Sequence, residues 1–447
     1  MRQRFMIVAK SAFIRNFSIV MSGTAVAQII GFSMTPIISR LFDPADFGVF
    51  GSFTSVVGFV AAGVTLQYCQ AIMLPKDDKN AANLFAVALI SVFGISLICL
   101  LVSCFFTDWL SEILKSIESK WLVWFLPVGI LNSGINKTFQ AWCVRRKAFT
   151  KTASAQMIRA GSSNVLQLVT GFLRTGYGGL IVSTVTADGC ASMNLVRQVY
   201  ADKRLFKESL AWSQIWSHAK EYRDFPIYSA TQNIMNSLSQ GLPVLLLANF
   251  YGTAVAGAYA FGNRILHAPM DFVLTALRQV LFQKASETYN HGGMFLPLYL
   301  KITSGLFLVA LLPSIVIFIW APEIFSYVFG PEWHTAGVYA SWLVIWSITG
   351  FSNVPAVLLA RILRQQRNLF VFEMAGLISR LIVLFLGGYF LSGVQTVILF
   401  SCISSLLNIV LIVWAGGVIA RNEKEGAINI SAEDNVSTRK GTEREAL

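Results

Sequence analysis

Apolar residues run along this chain in blocks of about twenty, separated by short polar stretches, from one end to the other. A helix of that length spans a bilayer's hydrocarbon core of ~30 Å. The blocks predict helices near 17–38, 47–71, 81–106, 120–141, 153–174, 177–199, 225–249, 254–282, 297–320, 335–360, 368–390 and 393–420. The fold class read from this pattern is an all-α polytopic membrane protein with about 12 transmembrane helices. One stretch interrupts the series. Residues 200–224, YADKRLFKESLAWSQIWSHAKEYRD, are amphipathic and basic, and are expected to lie along the cytoplasmic interface as a connector.

The connector divides the chain into an N-terminal six-helix lobe (1–199) and a C-terminal six-helix lobe (225–420). The polar tail 421–447 has too few apolar residues to pack and is expected to be disordered. The lobes are weakly self-similar. At a constant offset of 209, Ala45 meets Ala254, Gly48 meets Gly257, Phe50 meets Tyr259 and Gln70 meets Gln279. Pro36 and Pro243 stand near the outer ends of the first span of each half, two positions out of that register. An even number of spans per half gives both halves one orientation. Their pseudo-two-fold axis is then expected along the membrane normal, with a central cavity between the lobes.

Composition supports the membrane reading. The 447 residues are 55% hydrophobic and 13% charged, with a mean hydropathy of +0.61, which leaves too little polar surface for a soluble protein of this size. The net charge of +12 is accounted for by topology. With the N-terminus inside, the outer segments carry only Arg40, Lys115, Lys120 and Arg174, while the inner loops and tail hold nearly all other loop lysines and arginines. The positive-inside rule therefore puts both termini in the cytoplasm, and no nucleic-acid partner is called for. Arg2, Arg4, Lys10 and Arg15 precede the first apolar run without a small-residue cleavage site, so that run is expected to be a retained span. The six cysteines (69, 99, 104, 143, 190 and 402) lie in or beside apolar segments with no CxxC spacing, which argues against a disulfide framework or a metal site. No P-loop is present. The longest outer loop, near 107–119, is too short for a catalytic domain, so the chain is not expected to be an enzyme or to need a cofactor.

Two motifs carry a family likeness. SGTAVAQIIGFSMTPIISRLFDPADFGVFGSF followed by LQYCQAIMLPKDD resembles the opening of Wzx-type O-antigen and polysaccharide flippases, the lipopolysaccharide biosynthesis exporters of the MATE-like MOP superfamily. In the second half, AGAYAFGNRILHAPM is similar to the segment that opens their eighth span. The resemblance implies two six-helix lobes around a cavity and alternating access across a bacterial inner membrane. The implied cargo is a polyprenyl-pyrophosphate-linked glycan, an O-antigen, capsule or exopolysaccharide repeat unit. Membrane lipid, a polysaccharide polymerase and chain-length machinery are the further partners it implies. By motif, only the eighth-span arginine transfers, to Arg264.

The remaining site candidates come from charges inside spans, each costing roughly 2.5–3.5 kcal/mol at the bilayer centre. Arg264, His267, Asp271 and Arg278 follow one another at spacings of three, four and seven and share one helix face. Arg264 and Arg380 lie mid-span, where a hydrated cavity accommodates a guanidinium better than lipid does. Arg159 has Gln156, Ser163 and Gln167 on its face. For Lys137, Arg197, Arg278 and Lys301, near cytoplasmic span ends, snorkelling is the competing explanation. The candidate cavity set is Arg264, Arg380, Arg159, Lys137 and Arg278, with guanidinium forks suited to phosphate oxygens. Asp188, Asp271, Glu373 and His267 either neutralise these cations or take part in H+ or Na+ coupling. Gln28, Asn132, Asn136, Gln140, Asn164, Asn233, Asn236 and Gln240 are candidates for sugar hydroxyls, with interhelical hydrogen bonding as the alternative. A multidrug cation antiporter of the same superfamily would call for an acid in the first span, and neither 17–38 nor 225–249 has one. A polymerase or ligase would need outer-face catalytic groups, for which Glu323, Glu332 and His334 are the one cluster.

Overall fold

In the computed structural model of the protein, residues 28–115, 117–290, 296–363 and 365–445 are described. Regular structure among them is helical throughout. In chain order the helices are α1 (Gln28–Ile38), α2 (Pro44–Gly63), α3 (Tyr68–Ala71), α4 (Asp78–Phe105), α5 (Thr107–Ile113) and α6 (Phe125–Arg145). They continue with α7 (Phe149–Phe172), α8 (Gly176–Val199), α9 (Lys203–Ser209), α10 (Trp212–Glu221), α11 (Thr231–Tyr251) and α12 (Thr253–Asn290). The last five are α13 (Leu296–Phe329), α14 (His334–Ser352), α15 (Val354–Ile362), α16 (Gln366–Phe390) and α17 (Gly393–Glu445). Seven stretches among the described residues are long and apolar enough to cross a membrane. Of the remaining long helices, α6, α7, α11 and α12 carry the lysine, arginine, asparagine and glutamine residues singled out above. Together with the shorter α1, these make about twelve helices among the described residues, consistent with the hydrophobic pattern.

The chain separates into two compact units: Met1–Gly262 with Pro322–Gly337 and Leu384–Gly393, and Asn263–Ala321 with Val338–Val383 and Val394–Leu447. The division falls inside α12, α13, α14 and α16 and at the first residue of α17, not at the connector, because α11 packs along α2 and stays with the first unit.

In the first unit, the segment RLFDPADFG is a clasp. Pro44 occupies the first turn of α2, where a missing N–H costs nothing. Asp46 accepts from the backbone N–H of Asp43 (3.2 Å) and of Tyr177 (2.8 Å), so one carboxylate serves the N-terminal ends of both α2 and α8. Arg40 donates to the carbonyls of Tyr327 and Val328, in the last turn of α13, where helix carbonyls lack internal partners. Phe47 meets Phe261 and Trp333 edge-on, and the Trp333 indole donates to the Ser39 carbonyl at 2.8 Å.

The sequence repeat reappears here as a contact. A Cβ on Gly48 of α2 would stand 1.9 Å from the Thr253 carbonyl oxygen, and one on Gly257 of α12 would stand 1.7 Å from that of Pro44. Pro44 and Thr253 are related by the same offset of 209 as Gly48 and Gly257. Each half thus lays the first carbonyl of its helix against the other's glycine, the reciprocal pattern that a two-fold relation imposes.

Two expected helices are interrupted. The helix expected over 47–71 stops at Gly63; Leu66 and Gln67 adopt left-handed backbone (φ 45° and 58°) before the single turn α3. The helix expected over 335–360 divides at Asn353 into α14 and α15. Pro355 has no N–H for the Phe351 carbonyl and its ring crowds that position.

Around α3, α4, α6 and α8, a core of Tyr68, Leu84, Phe85, Trp142 and Leu195 is closed by Phe206, Ile215 and Ala219 of the connector. The connector is held by polar bonds as well. Trp142 donates to Asp202 (2.9 Å), Asn83 to the Ser209 carbonyl (3.1 Å) and the Tyr68 hydroxyl to that of Ala219 (2.9 Å). In the second unit, buried clusters form around Tyr299, Leu359 and Ile419, and around Leu274, Ile348 and Phe351. Residues 421–445, expected from composition to lack regular structure, continue α17; most of their side chains, from Lys424 on, lie outside the described residues.

Candidate functional site

The first unit holds a cavity of about 560 Å³, within the usual range of ligand pockets. Gln67, Cys69 and Gln70 reach it from the break after α2, Lys137 and Gln140 from α6, and Asn233, Asn236 and Gln240 from α11. Spacings of three, four and seven put each helix's contribution on one face. Most of the polar lining residues are carboxamides, set among apolar ones such as Ala62, Met73 and Val144, and Lys137 is the one charged side chain among the described lining residues.

The break in α2 explains where Lys137 goes. Interrupting the helix leaves the Ala61 and Ala62 carbonyls without backbone donors. Lys137 Nζ donates to Ala61 O at 2.6 Å, and Gln67 Nε2 donates to Ala62 O at 2.7 Å. The ammonium therefore sits at a helix C-terminus, where the macrodipole is negative. Its other N–H bonds are available to the cavity.

The carboxamides are ordered in pairs. Gln70 donates to Gln67 Oε1 (2.8 Å), Gln240 to Asn236 Oδ1 (3.3 Å) and Gln140 to Asn136 Oδ1 (3.5 Å). Beside the cavity, Arg145 donates to the Ile72 and Pro75 carbonyls and to Asp78, while Arg146 reaches Asp78 and Asp202. These bonds pin the segment IMLPKDD against α6.

The other expected site residues fall into different settings. Arg159 on α7 and Asp188 on α8 form an ion pair with each other. In the second unit, Arg380 and His267 share a partner, Trp346. The Arg380 guanidinium lies 5.5 Å from the centre of the Trp346 ring, and the His267 ring meets it edge-on at 5.6 Å. Arg380 Nε also donates to Ser404 Oγ at 3.1 Å. Arg264 is an exposed position of α12 and Glu373 an exposed position of α16. Asp271 and Arg278 belong to α12, and their side chains lie outside the described residues.

Among the polar candidates, Gln140, Asn233, Asn236 and Gln240 line the cavity. Asn132 and Asn136 instead tie α6 to α8 through Val185 O and Ser192 Oγ. Sequence reasoning missed Gln67, Gln70, Trp346 and Ser404. The i, i+3 glutamines inside an apolar run were a usable signal; the tryptophan was one of many.

Residues 37–338 match the model of a family described as "Polysaccharide biosynthesis protein". The chain belongs to this family. A similar curated protein is "Succinoglycan biosynthesis transport protein ExoT" of Rhizobium meliloti (strain 1021), 25% identical over 261 residues. That match covers 56% of this chain and 49% of ExoT, so the chain spans about half the length of this relative. Among solved structures, an inward-facing multidrug resistance MATE family transporter of the MOP superfamily superposes with a TM-score of 0.72 at 13% identity, covering 92% of this chain and 99% of that one. The lipid II flippase MurJ, in an inward closed conformation, superposes with a TM-score of 0.71 at 10% identity, covering 93% and 92%. At such identities these two establish the fold, that of multi-pass membrane transport proteins.

Proposed function

We propose that this polysaccharide-biosynthesis family member is a flippase. It moves a polyprenyl-pyrophosphate-linked oligosaccharide from the cytoplasmic to the outer face of the bacterial plasma membrane, by alternating access and without catalysis. The observation that carries this reading is the cavity of the first unit, lined by several carboxamides and one ammonium and set among apolar helices. Lys137 takes an anionic group of the cargo, the carboxamides take sugar hydroxyls, and the lipid tail stays in the bilayer. The absence of an acid among the described lining residues works against a cationic drug as cargo. An inside-negative potential favours outward movement of an anion by about 2.3 kcal/mol per charge per 100 mV. Arg380, Arg264, Arg159 and Arg278 are proposed as further cargo-anion contacts. Asp188, Asp271, Glu373 and His267 are proposed as the groups that balance this charge or couple it to H+ or Na+.

The test is the sidedness of lipid-linked glycan in cells depleted of the protein, read with a membrane-impermeant glycosidase on intact cells. Accumulation on the cytoplasmic face, reversed by re-expression, is expected. Normal arrival of unpolymerised units on the outer face would instead place the protein downstream of translocation.

A further inference from the structure

The connector helix α10 has three sides. Ile215, Ala219 and, just past its end, Tyr222 pack into the core behind it, and His218 is buried with them, which turns one side against α4. Ser213, Gln214, Ser217 and Glu221 are all exposed and make a polar side. Between the two, Trp212, Trp216 and Lys220 follow at spacings of four and stand in one row. The two indoles are 73% and 66% exposed, although a hydrophobic core lies directly behind them. A helix that packs on a core and otherwise faces water needs one apolar side. α10 has a second, made of the residue type that favours a boundary between apolar and wet surroundings.

The level of α10 in the fold fits the edge of a bilayer. Near the start of α4, residues 81–85 are all buried, and Asn83 donates to the Ser209 carbonyl just before α10. From Ile90 on, α4 turns bare apolar side chains outward, among them Phe93, Leu97, Ile98 and Leu101. The seven residues from Asn83 to Ile90 span about 10 Å of helix, comparable with the headgroup layer in which interfacial helices lie. Charge points the same way. The row ends in Lys220, and Arg223 is exposed one turn further on. Glu221 is engaged elsewhere, with its carboxylate 3.0 Å from His218 Nδ1. Between residues 203 and 224, exposed lysines and arginines outnumber exposed acids five to three.

We propose that the edge of α10 formed by Trp212, Trp216 and Lys220, with Arg223 beyond it, binds the headgroups of anionic phospholipid. The leaflet is the one on the connector's side, cytoplasmic in the orientation read from the loop charges. The indole N–H groups donate to headgroup oxygens, Lys220 and Arg223 pair with the phosphate charge, and the polar side stays in water. The connector is thereby pinned between the core of the first unit and the leaflet. This needs only the membrane-spanning fold and is independent of the flippase reading.

The test compares single cysteines at two positions of α10 in the otherwise complete protein. Trp216→Cys lies in the row and Gln214→Cys on the polar side. Each variant is reconstituted in nanodiscs of phosphatidylethanolamine with phosphatidylglycerol, or of phosphatidylcholine alone. A water-soluble maleimide is added, and peptide mass spectrometry reads each site separately from the native cysteines. With phosphatidylglycerol present, Trp216→Cys is expected to react at least about fivefold more slowly than Gln214→Cys, the worth of one basic residue at an anionic surface. Phosphatidylcholine, or Lys220→Gln combined with Arg223→Gln, is expected to bring the two rates together. Should Trp216→Cys reduce folded protein, Trp212→Cys repeats the measurement. Equal rates in both lipids overturn the proposal. So does a difference that ignores either the lipid charge or the two basic side chains. Free reaction in nanodiscs with protection in native membranes also overturns it, and assigns the row to a protein partner.

Discussion

At the scale of single residues, the telling case is Lys137, a charge placed among apolar helices at a cost of roughly 2.5–3.5 kcal/mol if it faced lipid. The protein avoids that cost by pointing the ammonium at the open end of α2, beside a cavity with a partly polar lining. Lys137→Ala is expected to remove the cap and the cavity's charge together, lowering polysaccharide export at least tenfold. Lys137→Arg, which keeps the charge with a different shape, should retain part of it; surface polysaccharide against immunoblotted protein level gives both numbers. Trp346 matters in a different way, by holding Arg380 and His267 in place. A cation over an indole is worth about 0.5–1 kcal/mol at an exposed site. Trp346→Phe should therefore leave export within about threefold of the parent, and Trp346→Ala should reduce it further at unchanged abundance. Arg264→Ala is expected to abolish export without loss of protein, and full export by that variant would remove Arg264 from the cargo path.

At the scale of elements, the loop between α1 and α2 carries the clearest motif, and the structure gives it a folding role. Asp46 bonds the starts of two helices at once. Asp46→Asn keeps the shape but weakens charge-assisted bonds, and should cost about 1 kcal/mol, seen as a lowered thermal midpoint in detergent. Gly48 and Gly257 admit no side chain, since a Cβ would fall on a carbonyl oxygen. Gly48→Ala or Gly257→Ala must force α2 and α12 apart, costing about 1–3 kcal/mol, and the double variant should yield little folded protein by size-exclusion chromatography. The interruption after Gly63 was not legible in the sequence. Neither Leu66 nor Gln67 has the glycine freedom that signals left-handed backbone, and the group that relieves the break is a lysine from another helix. Pro355, by contrast, stood in the sequence as a visible breaker of α14–α15, and long apolar runs on both sides masked it.

At the scale of the whole molecule, the charge asymmetry makes a statement about sidedness. Single cysteines introduced at Lys203 and at Lys115 are expected to react with an impermeant maleimide from opposite sides of the membrane, Lys203 from the cytoplasm. Labelling of both from one side would contradict the assigned orientation. The helical class, the number of spans and the polysaccharide-exporter likeness were all present in the one-dimensional pattern, because each depends on local quantities. A bilayer selects helices by length and hydropathy, and a turn motif is contiguous in the chain. What only the tertiary structure decided is which polar side chains meet. Gln67, Lys137 and Asn236 lie far apart in the sequence and line one cavity, while Asn132 and Asn136 spend themselves between α6 and α8. Periodicity assigns a residue to a face of its helix, but which neighbour that face meets depends on how the helices pack.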